Sequence, residues 1–389
     1  MIHVPTTSKA GSRLSTLRFT DPQHEPGWRH VVVPAADPRP LASAPRACEV
    51  SVAGAGRRHT LPEWNDATWT TSLLVLERGT VVHEEYSDRD GAAGVGPQTL
   101  FLGASMTKSV LAHLVGRAVT DGGLGLDDPV TRYVPELTGS GYDGTTVRDV
   151  LTMTSGVDWV EDHRDPGSLA SRLLGCFPDG DSRALLREVR PGVAPGTRWV
   201  YNTADSQVLD WVRERATGRV YADDVARLWR DLGCTSAAVV AVDRTGTALA
   251  GGGLAATARD WARIALLAVD GTTDDGTRLL DPGWVAAAAR SSYGFTGVGR
   301  LPSSITTLAG FGLHWWPLDD EGVRLTADGS RGQFAAADRH TGAVVVKTSL
   351  WPYDDFLVDR QARDLSYLGL HALLDLLAPT ETHLKEHHP

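Results

Sequence analysis

Phe101-Leu102-Gly103-Ala104-Ser105-Met106-Thr107-Lys108-Ser109-Val110-Leu111, residues 101–111, changes its pattern midway. From Ser105 to Thr120 the apolar residues Leu111, Leu114, Val115 and Ala118 recur at helical spacing, and Gly122-Gly123 ends the run. Ser105 and Lys108 therefore open a helix three residues apart, on one face, with the amine within reach of the hydroxyl. A serine hydroxyl is a weak nucleophile at its own pKa, and a lysine can take its proton once its own pKa falls to roughly 7 to 8. Arginine cannot do so, because it stays protonated. Of 38 basic residues only Lys9, Lys108, Lys347 and Lys385 are lysine, so a place that needs one is easy to see. An S-x-x-K tetrapeptide also arises by chance, so the context carries the weight: a helix start behind the apolar Phe101-Leu102. The helix start also turns backbone amides and the positive dipole end toward the site, which favours an oxyanion.

Outward from this helix, T-S-L-L-V-L-E-R-G-T-V-V-H-E-E-Y at 71–86 reads as two apolar strands around Arg78-Gly79, a hairpin. Residues 125–250 carry short helical patterns separated by Gly and Pro, including 146–156 and 205–215, and 257–268 is an amphipathic helix. Strands return in F-G-L-H-W-W, G-Q-F-A-A-A and A-V-V-V-K-T-S-L-W, and Leu357 to Leu377 reads as a C-terminal helix. Residues 1–60, rich in Pro, Arg and Ser, read as an irregular arm wrapping the fold. The expected organisation is an α/β domain from 61–140 and 250–389, with a helical insertion over 141–249.

The 389 residues suffice for a large core in two structural parts, and 42% hydrophobic with 22% charged residues is the composition of a folded chain. A net charge of −10 argues against nucleic acid or an anionic membrane as partner. The N-terminus shows no apolar run behind a positive start, and no stretch approaches eighteen apolar residues, so neither a signal nor a transmembrane helix is expected. Cys48, Cys176 and Cys234 are odd in number and far apart, which suits buried thiols in a cytoplasmic protein. Histidines are scattered and His387-His388 read as tail, so no metal and no cofactor is expected.

These residues resemble the serine β-lactamase and penicillin-recognising family, in its class C, DD-peptidase and esterase-like branch. After S-x-x-K that family carries Y-x-N or a variant, then a K/H-x-G-like triplet on a strand. Trp199-Val200-Tyr201-Asn202-Thr203 matches the second, with Thr203 where Asn or Ser is common. Stretches 150–156 and 252–263 are also similar, so the resemblance runs from about 70 to 375. It implies an antiparallel sheet flanked by helices with an inserted mainly helical domain. It also implies that Tyr201 shares the proton network of Ser105 and Lys108; a nearby cation favours a phenolate. Packing against Trp199 is the plainer role for that ring.

For the third motif, Ala327-Asp328-Gly329-Ser330-Arg331-Gly332 resembles H-x-G-x-x-G with alanine in the basic position. In that register the amides of Ser330 and Ser105 form the oxyanion hole; Gly332 as the motif glycine is the other register. Lys347-Thr348-Ser349 follows A-V-V-V and reads as the next strand, a decoy. The missing basic residue removes the family's usual anchor for a substrate carboxylate; Arg331 is either its replacement or a solvated arginine. Residues 73–86, 158–166 and 347–352 look most like the 6-aminohexanoate-dimer hydrolases and related cytoplasmic esterases, which implies cleavage of an amide or ester of a small carboxylic acid derivative. His163 stands where that branch has tyrosine, and Gly251 where it has asparagine. Trp159 and His163 are candidate substrate contacts on a loop, along with Thr203 and Gly329; a surface loop histidine is the plain alternative. The expected mechanism is an acyl-enzyme on Ser105. An amine or alcohol acceptor in place of water would make it an acyltransferase. A catalytically silent binding module would be expected to lack one of Ser105, Lys108 or Tyr201, and a Ser-His-Asp hydrolase would want G-x-S-x-G where G-A-S-M-T stands.

Overall fold

The structure is a computed structural model that describes residues 18–25, 27–87, 94–292, 310–352 and 360–378. Its strands are β1 (His30–Val33), β2 (Ser51–Gly54), β3 (Arg57–Thr60), β4 (Thr70–Glu77), β5 (Thr80–Tyr86), β6 (Phe101–Leu102), β7 (Ala238–Ala241), β8 (Leu254–Ala256), β9 (Trp316–Pro317), β10 (Arg324–Gly329), β11 (Gln333–Asp338) and β12 (Ala343–Ser349). Six of them form the larger sheet in the order β5-β4-β12-β11-β10-β9, with every neighbouring pair antiparallel. A second antiparallel sheet runs β1-β7-β8-β6, and β2 pairs with β3.

The hairpin expected at 71–86 is β4-β5. Arg78 (φ 47°) and Gly79 (φ 80°) form a two-residue turn whose positive φ values match the twist of the strands. Side chains alternate across the larger sheet with period two. Leu74, Leu76, Ala335, Ala337, Val344 and Val346 enter the core shared with the Ser105 side of the molecule. Leu73, Val75, Phe334 and Val345 face the other way, toward the C-terminal helix Arg360–Leu376. That helix packs against Trp64, whose indole Nε1 donates to the Leu365 carbonyl at 2.7 Å. The expected start of this helix at Leu357 lies outside the described residues, as do Lys9, Lys385 and the His387-His388 tail.

The long stretch between the two β-rich parts carries the helices Val130–Tyr133, Val147–Leu151, Leu169–Gly175, Ser182–Leu186, Thr203–Thr217 and Tyr221–Asp231, and β7 falls within its last residues. The arm to residue 60, read as irregular, contains three short strands. The β-branched run Val31-Val32-Val33 pairs with β7, a signal hidden by the Pro-Arg composition around it. The arm also covers the edge of β5: the amides of Ala44 and Arg46 donate to Val81 and Val82 at 2.9 and 3.0 Å. F-G-L-H-W-W, expected as a strand, is irregular up to Trp315, with His314 at φ 57°. Phe311 is instead packed with Met153, Trp199, Tyr201 and Trp316, the last being the first residue of β9.

Candidate active site

Ser105 lies in a 3-10 turn, Ala104–Met106, that leads straight into the helix Thr107–Thr120. One close approach and one left-handed residue build this turn. A side chain on Gly103 would run into the Trp261 ring at 2.3 Å, and Ala104 takes a left-handed φ of 45°. The amide of Gly103 donates to Leu254 of β8 at 2.9 Å, which ties the turn to the second sheet. Of residues 101–116, Ser105 alone is not buried. Lys108 is 2% exposed, and its Nζ lies 3.0 Å from Ser105 Oγ. The amine also donates to the Gly251 carbonyl at 2.7 Å and to Thr203 Oγ1 at 3.2 Å.

Thr203 comes from the start of the helix Thr203–Thr217, which packs against the helix bearing Lys108. Asn202 is its N-cap: its Oδ1 accepts from the amides of Ala204 and Asp205 at 2.8 and 3.2 Å. The cap fixes Tyr201 just outside the helix and Thr203 just inside. The Lys108 Nζ then sits 5.0 Å from the Tyr201 ring centroid, a cation over an aromatic ring. That ring stacks on Trp316 and belongs to a cluster with Trp199 and Phe311. Below the cap, Asp205 Oδ1 receives Tyr142, Ser155 and Asn202, and burial pushes its carboxyl well above the usual carboxylate range.

Glu161, on the loop after Trp159, completes the cluster. Its Oε1 accepts the Thr203 hydroxyl and His163 Nε2, the latter at 3.1 Å. Its Oε2 accepts Trp159 Nε1 at 2.7 Å and the Thr203 amide at 3.0 Å. Burial opposes its charge, yet the hydrogen bond and field of His163, with Lys108 and Thr203, hold the carboxyl at about 2. On the opposite side, His314 spans Ser206 Oγ (3.0 Å) and the Leu151 carbonyl (2.6 Å). Burial, aided by the Lys108 charge, lowers this imidazole to about 3, so it is neutral at pH 7.

The end of β10 closes over the Ser105 turn. A Cβ on Gly329 would lie 2.1 Å from the Gly103 carbonyl oxygen, so only glycine lets the strand come this near. The tight turn Ser330-Arg331-Gly332 follows, with Arg331 at φ 61° and Gly332 at φ 88°. A cavity of about 710 Å³ lies elsewhere, lined by Arg78, Arg263 and Arg339 among others, and includes neither Ser105 nor Lys108.

The sequence profile of the Beta-lactamase family matches residues 68–368. The chain belongs to that family. It is 34% identical over 306 residues, 75% of each chain, to the 6-aminohexanoate-dimer hydrolase of Paenarthrobacter ureafaciens. Esterase EstB of Burkholderia gladioli is 34% identical over 185 residues, 42% of this chain and 46% of that one. A solved Bacillus anthracis structure, classed with the 6-aminohexanoate-dimer hydrolases, superposes with a TM-score of 0.75 over 91% of this chain and 93% of the other, at 20% identity. The fold is thus the β-lactamase/transpeptidase-like one, and the protein is an enzyme of a serine hydrolase family.

Within this β-lactamase-family site, Ser105, Lys108, Tyr201 and Thr203 come together, and Gly329 reaches the Ser105 turn. Trp159 is buried and meets the cluster through Glu161, as does His163, so neither is a bare loop residue. Arg331 is neither free in solvent nor an evident anchor: its Nε donates to the Trp351 carbonyl at 2.8 Å and its guanidinium covers the Phe19 ring. Lys347 lies on the opposite face of the sheet, against Thr68, Ser349 and Trp64, away from Ser105. Ala327 is buried on the Ser105-side face and carries no charge there. Gly251 gives its carbonyl to Lys108, and a Cβ on it would press on Thr203 at 3.0 Å. The residue that sequence reasoning passed over is Glu161, which lies between Trp159 and His163 in the quoted 158–166 stretch; its carboxylate between two singled-out neighbours was the available signal. Among the described residues no helix is long and apolar enough to cross a membrane.

Proposed function

We propose that this enzyme cleaves an amide or ester of a small carboxylic acid derivative through an acyl-enzyme on Ser105. The observation that carries the reading is the 3.0 Å contact between the buried Lys108 amine and the Oγ of Ser105, the one residue in 101–116 that is not buried. Lys108 takes the Ser105 proton as Oγ attacks the carbonyl carbon, and the carbonyl oxygen becomes an oxyanion held by the amides of Ser105 and Ser330. Collapse expels the amine or alcohol, which leaves with a proton relayed through Lys108 and Tyr201. Water then attacks the acyl-enzyme, gives up its proton to the same groups, and releases the acid. The uncharged Ala327 supports a substrate without the carboxylate anchor of a β-lactam, and the aromatic cluster around Tyr201 supports an apolar chain. The resemblance to a 6-aminohexanoate-dimer hydrolase supports a linear amide among the candidates. Three free thiols suit a reducing, cytoplasmic setting.

The test is incubation with p-nitrophenyl acyl esters, the 6-aminohexanoate dimer and nitrocefin, followed by mass spectrometry of the acylated peptide. We expect an adduct on Ser105 and none in Ser105→Ala. Labelling elsewhere, or full activity in Ser105→Ala, sinks the mechanism, and rapid nitrocefin turnover sinks the substrate class. Added amines and alcohols measure how far acyl transfer competes with hydrolysis.

A further inference from the structure

We infer that Glu161 is a positioning residue: through the Thr203 hydroxyl it aims the lone pair of the Lys108 amine at Ser105. The inference rests on the reading of Lys108 as the base for Ser105 and adds how that base is oriented.

The argument is a count of hydrogens. An ionised carboxylate only accepts, and the four contacts of Glu161 come from the Thr203 hydroxyl, the Thr203 amide, Trp159 Nε1 and His163 Nε2. The single hydroxyl hydrogen of Thr203 is therefore spent on Glu161. Toward Lys108, Thr203 Oγ1 can present only a lone pair. The Gly251 carbonyl, the second neighbour of Nζ, likewise only accepts. In the neutral form that acts as base, as opposed to the cation, the amine has two N–H bonds and one lone pair. Both N–H bonds are drawn to Thr203 and Gly251, and the lone pair is left for the third neighbour, Ser105 Oγ, at 3.0 Å. Without the carboxylate, the Thr203 hydroxyl could turn its hydrogen onto Nζ and occupy the lone pair that Ser105 needs. Glu161 is thus a negative-sense filter: it removes the competing proton donor rather than touching the substrate. Trp159 and the Thr203 amide, both able only to donate, fix which way the carboxylate lies.

Glu161→Gln tests this with almost no change of shape. At the Oε2 position an amide NH2 would face two donors that cannot change, Trp159 and the Thr203 amide, so it turns to the Oε1 position, where His163 can present the bare Nε2 of its other tautomer, and donates to Thr203 Oγ1. The Thr203 hydrogen is then released toward Lys108. With a p-nitrophenyl ester, the expected result is a fall in the acylation rate of roughly 10- to 100-fold with KM little changed. Thr203→Val removes the hydroxyl altogether, and Thr203→Ser, which keeps it, recovers most of the rate lost in the valine variant. Because Glu161 acts through Thr203, adding Glu161→Gln to Thr203→Val lowers the rate no further. Multiplying losses in the double variant, or wild-type acylation in Glu161→Gln, overturns the inference while leaving the acyl-enzyme reading intact. A wild-type protein that never acquires a Ser105 adduct overturns both.

Discussion

Lysine and arginine differ here by one property, the ability to lose a proton, and the chain separates the two uses. Its surface cations are almost all arginine, whereas the described lysines, Lys108 and Lys347, are 2% and 0% exposed. Scarcity alone would have flagged both. Position decides between them: Lys108 meets the hydroxyl of a half-buried serine at a helix start, whereas Lys347 is packed over Trp64 on the far face of the sheet. The Lys108→Arg variant keeps a cation that can donate to the Gly251 carbonyl but has no lone pair to offer Ser105. Acylation of Ser105, followed as the p-nitrophenolate burst, is expected to fall roughly a hundred- to ten-thousand-fold, the usual worth of a general base. A burst within a factor of a few of wild type would assign the base to another group.

At the scale of elements, the site depends on how closely the end of β10 approaches the Ser105 turn. In Gly329→Ala the new methyl meets the Gly103 carbonyl, a backbone atom that cannot swing aside, so the strand end and the 330–332 turn must move. The expected cost is about 1 to 3 kcal/mol of stability by urea unfolding. Acylation should drop roughly 100-fold, as for a reacting geometry displaced by an ångström. Unchanged acylation would remove the Ser330 amide from the mechanism. Elements whose signal is local were legible in the sequence: the 71–86 hairpin through its Arg78-Gly79 turn, the Ser105 helix through its apolar spacing, and β11 and β12 through their apolar runs. Those whose reason is tertiary were not. Phe311 is covered by Met153, Trp199 and Tyr201, while Leu313 and Trp315 enter the main core, and period alone cannot tell such irregular burial from a strand. Glu161 is 42 residues from Thr203, and nothing local announces that the two meet. Ser105 and Lys108 were legible because their spacing is itself the geometry, whereas Tyr201 and Thr203, the latter 95 residues from Lys108, were found only through the resemblance to a family motif.

Across the whole molecule, the Ser105 helix is held by a buried histidine that must stay neutral. His113 Nε2 lies 3.0 Å from the Ile264 carbonyl, its ring meets Trp315 at 5.4 Å, and it joins the helix Thr107–Thr120 to the helix Ala258–Asp270. Burial lowers this imidazole to about 4 from an ordinary 6.5, against the pull of the Ile264 carbonyl. Below pH 6.5 the unfolded chain binds a proton at this position that the folded chain does not. The contribution is therefore present above 6.5 and is lost as pH falls toward 4. Between pH 7 and 5 the loss from this one group is about 2 kcal/mol. His113→Gln keeps a donor for the Ile264 carbonyl but cannot titrate, so it should be less stable at pH 7 through imperfect packing and lose less on acidification. Urea unfolding at pH 7 and pH 5 measures both: the wild type should lose about 2 kcal/mol more than the variant over that interval. The carboxyl groups and His314 are common to both proteins, so their titration cancels in the difference, and equal losses would mean that His113 is protonated in the folded enzyme at pH 5.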